Sequence, residues 1–549
     1  MNVDLLVTGR IASLTGGEGL GWVEALAISG GRVVLAGRRV EVEAAVGAVQ
    51  RRLDLPPDRA VLPGLTDAHL HLADFARAGE EVDLATARTL EEGLRRIGEA
   101  HAALPDPEGW LTGRGWDAVR WGGWPTAAAL ERVAPGRRVA LWSHDHHAIW
   151  ASERALREAG LDARSDDPPG GVIRRLEDGQ PAGCLHERAA ALVLRLVPPP
   201  SPERLDGALV RACRELLALG LVAVHDPGEV LSDATLSGGF AACGRLAAAG
   251  RLPLRVHVSV RAESLELALE RGVRSGTPLG GPESRARVGW LKLFADGTLG
   301  ARTARLLAPY EPTADAGEPP GGPLGVEVTP PGELVRLVGR AAAGGLASQV
   351  HAIGDGAVRT SLDALAPVAG RTALRPRVEH AQLIDRADLP RFAAAGIAAC
   401  VQPRDIRTDA PNAYRAWGAG RVERGGYAYR SLVRSGALVA LGTDAPVEPP
   451  DPWPALATAV TRRAPEWAAG EPAFVPAEAL TLAQALRAAC LAPALIAGER
   501  DRGRLAPGCL ADLVVVPSVA LDEPVEPGGA LETVRPELVL LEGEIVHEA

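Results

Sequence analysis

The stretch Leu62-Pro-Gly-Leu-Thr-Asp-Ala-His69-Leu-His71 is an apolar run that ends in His-x-His. Alternate residues of a strand face the same side, so His69 and His71 project together from a strand end. Two imidazoles placed this way can hold one metal ion. A structural pair in a core or on a surface is the alternative that the spacing alone leaves open.

Outward from that stretch the chain alternates short apolar runs with segments rich in Ala, Leu and Arg. The strand candidates are Val61–Leu65, Leu221–His225, Leu254–Val258, Val288–Phe294, Leu346–His351, Pro376–His380, Ile397–Val401 and Leu438–Gly442. Amphipathic helix patterns lie between most of them, as at Pro202–Leu217 and Pro331–Ala343. Eight strands alternating with helices predict an α/β fold, a distorted TIM (β/α)8 barrel. A doubly wound sheet is the other architecture the pattern allows.

The two ends of the chain read differently. Leu5–Val7, Ala25–Ile28 and Val33–Ala36 near the start are strand-like, and so are Asp512–Val516, Leu538–Leu541 and Glu544–His547 near the finish. They predict a composite β-sandwich domain from residues 1–60 and 500–549. The barrel then takes residues 61–79 and 206–499. Residues 80–205 are too many for one crossover and read as an inserted α/β subdomain after the first strand. Six of the eleven tryptophans fall there: Trp110, Trp116, Trp121, Trp124, Trp142 and Trp150. They suit either a small satellite core or an aromatic lid over a substrate pocket, with Trp116 as a substrate-contact candidate.

The 549 residues carry a formal net charge of −10. That argues against nucleic acid or an anionic membrane as partner through bulk charge and leaves a small molecule. No apolar stretch approaches the length of a membrane span, and no secretory signal is visible at the N-terminus. Cys184, Cys213, Cys243, Cys400, Cys490 and Cys509 form no CxxC pair, which predicts buried thiols in a reducing, cytoplasmic setting.

Among 59 lysines and arginines, Lys292 is the only lysine. Arginine stays charged at any usable pH, whereas a buried amine can lose its proton and react. Lys292 lies in Gly289-Trp-Leu-Lys-Leu-Phe294, another predicted strand end. His351 closes Ser348-Gln-Val-His351, His380 closes Arg377-Val-Glu-His380, and Asp444 follows Val439-Ala-Leu-Gly-Thr. Each alone is a weak signal. A barrel gathers its strand ends into one cup, so His69, His71, Lys292, His351, His380 and Asp444 together predict a metal centre. Imidazole and carboxylate suit zinc. A neutral lysine amine can capture carbon dioxide as a carbamate that bridges one or two cations. A divalent pair at about 3.5–4 Å generates hydroxide near neutral pH, and Asp444 is suited to pass its proton to a leaving nitrogen.

Five motifs carry a resemblance: Pro-Gly-Leu-x-Asp-x-His-x-His at 63–71, Lys-Leu-Phe-x-Asp-Gly-x-x-Gly at 292–300, His-Ala-Ile-Gly-Asp at 351–355, Glu-His-Ala-Gln at 379–382 and Gly-x-Asp-Ala-Pro-Val at 442–447. Their combination resembles amidohydrolase family 3 of the amidohydrolase superfamily, in the YtcJ-like branch that includes N-substituted formamide deformylase. Gly113-Arg-Gly-Trp-Asp117, Arg302-Thr-Ala304 and Gly508-Cys-Leu-Ala-Asp-Leu513 extend the similarity over nearly the whole chain. The resemblance implies a metal-dependent hydrolase of non-peptide, amide-type carbon–nitrogen bonds, working through metal-bound hydroxide. It implies His69, His71, carboxylated Lys292, His351, His380 and Asp444 as ligands, with Asp444, Lys292 and His351 catalytic. Asp296, Asp355, Gln402 and His147 become candidates for substrate contact or ligand support, and a homodimer is expected at family level. A deaminase, a lactonase or a silent small-molecule binder on the same scaffold are the rival functions. One departure stands out: Gln402-Pro-Arg-Asp405 replaces the Gln-Pro-x-His common in the branch, which affects substrate rather than metal.

Overall fold

A computed structural model describes the chain except residues 80, 105, 107, 119, 145–147, 169–170, 188, 230–237, 313–318, 320 and 469, and the side chain of Glu187. The described residues form two compact units, Ala73–Ala208 and Met1–Leu72 with Leu209–Ala549.

The larger unit contains the barrel. Eight parallel strands follow one another in chain order: Leu65–Asp67, Leu221–Asp226, Arg255–Arg261, Ala286–Phe294, Ser348–Ala352, Arg377–His380, Ala398–Val401 and Val439–Leu441. Most are buried throughout, because helices cover one face and the barrel interior the other. The strands read as continuous apolar runs for that reason. Trp290 fills part of the interior among the small residues Ala68, Ala398 and Ala440. The last strand is joined to the end of the first barrel strand by loop backbone. Ala68 N–H donates to Leu441 O at 3.0 Å and Asp444 N–H donates to His69 O at 2.7 Å. A β-carbon on Gly442 would sit 2.7 Å from His69 Cβ, so only glycine permits this approach.

One strand assignment is corrected. Val61–Leu65 was expected as the first barrel strand, but Arg59–Pro63 belongs to the terminal β domain and the barrel begins at Leu65. Arg59–Pro63 pairs antiparallel with Leu513–Pro517, with Val61 opposite Val515. Pro63-Gly64 separates two strands that read as one apolar run. The two ends of the chain thus share one eight-stranded sheet, in which Leu5, Leu26, Val61, Leu513 and Leu540 share a core.

The smaller unit is built on a six-stranded mixed sheet. Trp116 and Trp150 are fully buried in its core, with Trp121 packed against them. Trp110 and Trp142 pack against a second apolar cluster of the same unit. Five of the six tryptophans thus make a satellite core. Among the described residues, no helix is long and apolar enough to cross a membrane.

Candidate active site

The first barrel strand ends at Asp67, and Asp67 ties the two ends of the barrel together. Its carboxylate accepts the backbone N–H of His69 at 3.0 Å, the Thr443 N–H at 3.1 Å and the Thr443 hydroxyl at 2.5 Å. His69 and Asp444 are therefore fixed against each other by one buried side chain. Burial pushes the Asp67 carboxyl up to about 7.

Each of the four strand-end histidines has one ring nitrogen engaged by an acceptor. His69 Nδ1 meets Glu379 Oε2 at 2.5 Å, and His71 Nδ1 donates to Gly228 O at 3.2 Å. His380 Nδ1 donates to Gln402 Oε1 at 2.9 Å, and His351 Nε2 to Gly297 O at 3.0 Å. Such outer contacts fix the tautomer and aim the other nitrogen. The rings converge on Asp444. Ligand atoms of His69, His380 and Asp444 all lie within 4.8 Å of one another. The His351 and His380 rings are 4.5 Å apart between centroids.

Asp444 Oδ1 is buried without a well-formed hydrogen bond, 3.3 Å from His69 Nε2 and 3.4 Å from His71 Nε2. With its hydrogen on the Glu379 side, His69 Nε2 presents a lone pair to that oxygen. Two acceptors facing each other at this distance call for a cation between them. Burial and then the Lys292 charge bring the His69 pKa down to about 4, and burial brings His380 to about 3. Burial also holds His351 well below its usual value. Neutral imidazoles are the form that binds metal. Burial pushes the Asp444 carboxyl up, but the neighbouring histidines outweigh it and hold the group well below its usual range. Left-handed backbone at His380 (φ 68°) and Asp444 (φ 59°) costs about 1–3 kcal/mol per residue. That strain is a mark of positions whose side-chain direction matters.

Lys292 is 1 % exposed, and its Nζ lies 3.5 Å from His69 Nε2. Burial lowers its pKa to about 8, against the opposing pull of Glu379 and Asp444. The neutral amine is thus far more accessible near neutral pH than for an exposed lysine. The donor set fits a divalent cation: neutral imidazoles, an ionised carboxylate and a reactive amine around an orphaned oxygen.

Glu379, like Asp67, is a residue that the sequence reading did not single out. It is fully buried, orients His69 and pairs with Arg377 Nε at 2.7 Å. Its signal was its place beside His380 in Glu-His-Ala-Gln. Gln402 supports His380, as its contact shows. Asp296 accepts backbone N–H groups of Arg305, Ile353 and Gly354 at 2.8–3.0 Å and lies 3.7 Å from His351. It pins the loops that present His351. Asp355 accepts the Leu307 N–H at 2.8 Å and so holds that loop. Trp116 is 1 % exposed and donates its indole N–H to Leu141 O at 2.7 Å, so packing in the smaller unit replaces the expected substrate contact. His147 lies outside the described residues. Arg404 and Arg407 are structurally paired, with Glu448 at 2.9 Å and Glu532 at 2.8 Å.

Comparison with known proteins gives a consistent family. The profile described as "Amidohydrolase family" matches residues 57–547. The chain is 31 % identical to the putative amidohydrolase YtcJ of Bacillus subtilis (strain 168), over 89 % of each protein. It is 29 % identical to N-substituted formamide deformylase of Arthrobacter pascens, over 90 % of each. The crystal structure of an uncharacterized metal-dependent hydrolase from Pyrococcus horikoshii OT3 superimposes with a TM-score of 0.74 at 27 % identity, covering 93 % of this chain and 97 % of that one.

Proposed function

The chain belongs to the amidohydrolase family and is a metal-dependent hydrolase of carbon–nitrogen bonds; from that premise we propose that it cleaves a non-peptide amide of a small molecule with zinc held by His69, His71, His351, His380, Asp444 and a carbamate on Lys292. The observation that carries this reading is the buried Asp444 oxygen, left facing the lone pair of His69 Nε2 at 3.3 Å. When bound, a divalent cation there supplies Lewis-acid polarisation of the carbonyl and makes water acidic enough to ionise near neutral pH.

The protein's own residues do the rest. Lys292 Nζ, once neutral, adds to carbon dioxide and loses a proton, giving an anionic oxygen donor where an ammonium stood. Asp444 takes a proton from the attacking water and hands it to the leaving nitrogen as the C–N bond breaks and a C–O bond forms. Its ordinary burial cost is offset by the surrounding imidazoles, which keep it ionised and ready to accept. Glu379, Gln402 and the Gly228 and Gly297 carbonyls hold the imidazoles in place throughout. Six buried, unbridged cysteines suit a reducing, cytoplasmic setting.

The test is elemental analysis of the purified protein joined to a screen of N-acyl and N-formyl amides. Bound zinc and turnover that a chelator abolishes and zinc restores are expected. Undiminished hydrolysis in the stripped protein would overturn the metal role. A protein that purifies with little metal and turns over no amide would be a silent binder.

A further inference from the structure

The sixth tryptophan of the inserted segment stands outside the satellite core. Trp124 is 43 % exposed and forms one wall of a cavity of about 590 Å³ in the smaller unit. Other walls come from two paired strands, Gly171–Arg175 and Pro181–Glu187. Alternate residues of a strand share a face. Val172 and Arg174 on the one strand, and Ala182, Cys184 and His186 on the other, therefore line the cavity together. The opposite face sends Ile173 and Leu185 into an apolar cluster of the same unit. A volume of this size is ordinary for a small-molecule site.

The cavity holds a cation with no carboxylate to match it. The half-buried Arg174 guanidinium lies over the Trp124 ring, 3.9 Å from its centroid, and its Nε donates to His186 Nε2 at 3.0 Å. Stacking and that hydrogen bond fix the guanidinium in place, and among the described residues no carboxylate pairs with it. Arg175, the next residue, differs: its guanidinium is spent on the Asp162, Ser165 and Gly179 carbonyls. The charge of Arg174 is felt by the lining. Burial pushes the Cys184 thiol up to about 12, and Arg174 pulls against that rise. Thr126, also in the wall, does not use its hydroxyl to cap the helix it precedes. Pro125, Val172 and Ala182 make the rest of the wall apolar.

We propose that this cavity is a binding site for a small organic carboxylate with a flat apolar body, held by Arg174 against Trp124. A guanidinium fixed by stacking presents its Nη hydrogens as a planar fork, the geometry that takes a carboxylate through two parallel hydrogen bonds. The apolar body of the ligand covers Val172, Ala182 and the exposed part of Trp124, which water otherwise wets. A cationic ligand would be repelled, and a neutral one would leave the guanidinium without a counter-charge. Inorganic phosphate would match the charge and leave the apolar walls uncovered. The site lies within the smaller unit and does not rest on the hydrolase reading given above.

The test is calorimetric titration of the full-length, metal-loaded protein with sodium benzoate and, as its neutral counterpart, benzyl alcohol. Benzoate should bind at least about tenfold more tightly than the alcohol, and Arg174→Gln should weaken it about tenfold, as loss of a hydrogen bond to a charged group does. Trp124→Leu removes the ring that holds the guanidinium; it should weaken benzoate too, and it serves if Arg174→Gln folds poorly. His69→Asn should leave benzoate affinity unchanged, which separates this site from a carboxylate bound at the metal centre. No saturable benzoate binding, equal affinity for the two probes, or benzoate affinity unchanged in both Arg174→Gln and Trp124→Leu would overturn the site. Benzoate binding lost in His69→Asn would move the ligand to the metal centre and sink the proposal as well.

Discussion

Two groups of histidines occupy the barrel, and their polar neighbours differ. His69, His71, His351 and His380 stand at strand ends beside Asp444 and Glu379. His225 and His257 sit in the body of the second and third strands, against Trp290, with ring centroids 5.1 Å apart. Arginines lie beside them: Arg377 Nη1 meets His225 Nδ1 at 3.0 Å and, after burial, depresses its pKa, while at His257 the Glu499 carboxylate 3.9 Å away is opposed by Arg502, Arg287 and Arg377. Arg502 and Arg255 are in turn held by Asp512. A metal entering there would meet guanidinium charge, whereas at the strand ends it meets unpaired acceptors. Residue type is the same in the two groups, and all but His71 are buried. Charge of the neighbours and the direction of the free lone pairs separate a ligand set from a structural one.

The strongest way to break that contrast is to remove strand-end donors. Asp444→Asn should lower kcat by about 10²–10⁴-fold, the usual worth of a positioned proton acceptor, and His69→Asn should lose metal. Lys292→Ala should lose metal and activity together, with partial rescue by short-chain carboxylic acids. Lys292→Arg should fail despite keeping the charge. Full metal occupancy and turnover in Lys292→Arg would end the carbamate role.

The next test falls on the residue that joins the two groups. Glu379→Gln removes the carboxylate between His69 and Arg377 and leaves a buried guanidinium unpaired. Metal affinity should fall about 10–100-fold and stability by about 3–5 kcal/mol, read by metal titration and denaturant unfolding. Unchanged metal affinity would detach Glu379 from the site.

Acidity sharpens the contrast further. The Lys292 amine is protonated below about 8 and neutral above it. Recarboxylation of stripped protein by bicarbonate and zinc should therefore slow about tenfold for each pH unit below that value, measured as the rate of activity recovery. A pH-independent rate would count against a reacting amine.

The smallest expected effect belongs to the interior group. His257→Leu should leave zinc content unchanged, since neither of its ring nitrogens has a hydrogen-bond partner and its one facing carboxylate, Glu499, is already held by Arg502. Loss of zinc in this variant would erase the distinction between the two groups.

The strand-end donors were readable because each closes an apolar run, and a barrel offers only one place for such ends to meet. The fold was readable for the same reason: eight apolar runs alternate with helical segments. Asp67 and Glu379 were not singled out, although both lie within quoted motifs. A buried acid that fastens another residue leaves no spacing signature of its own. The boundary at Pro63 was blurred because two strands of different domains abut as one apolar stretch. The tryptophans of the smaller unit illustrate a further limit. Composition supplies large apolar side chains, but only packing decides between an inner core and an exposed wall.

The seam closed by Gly442 has a consequence for how the protein is made. His69 and Asp444 are 375 positions apart in the chain, yet they touch through backbone contacts that no earlier strand can replace. A ribosome-bound fragment that stops short of Thr443 has a cleft with its first imidazoles and no wall opposite them. The donor set around Asp444 is thereby completed only when the eighth strand docks against the first, which makes strand closure and metal-site assembly one event.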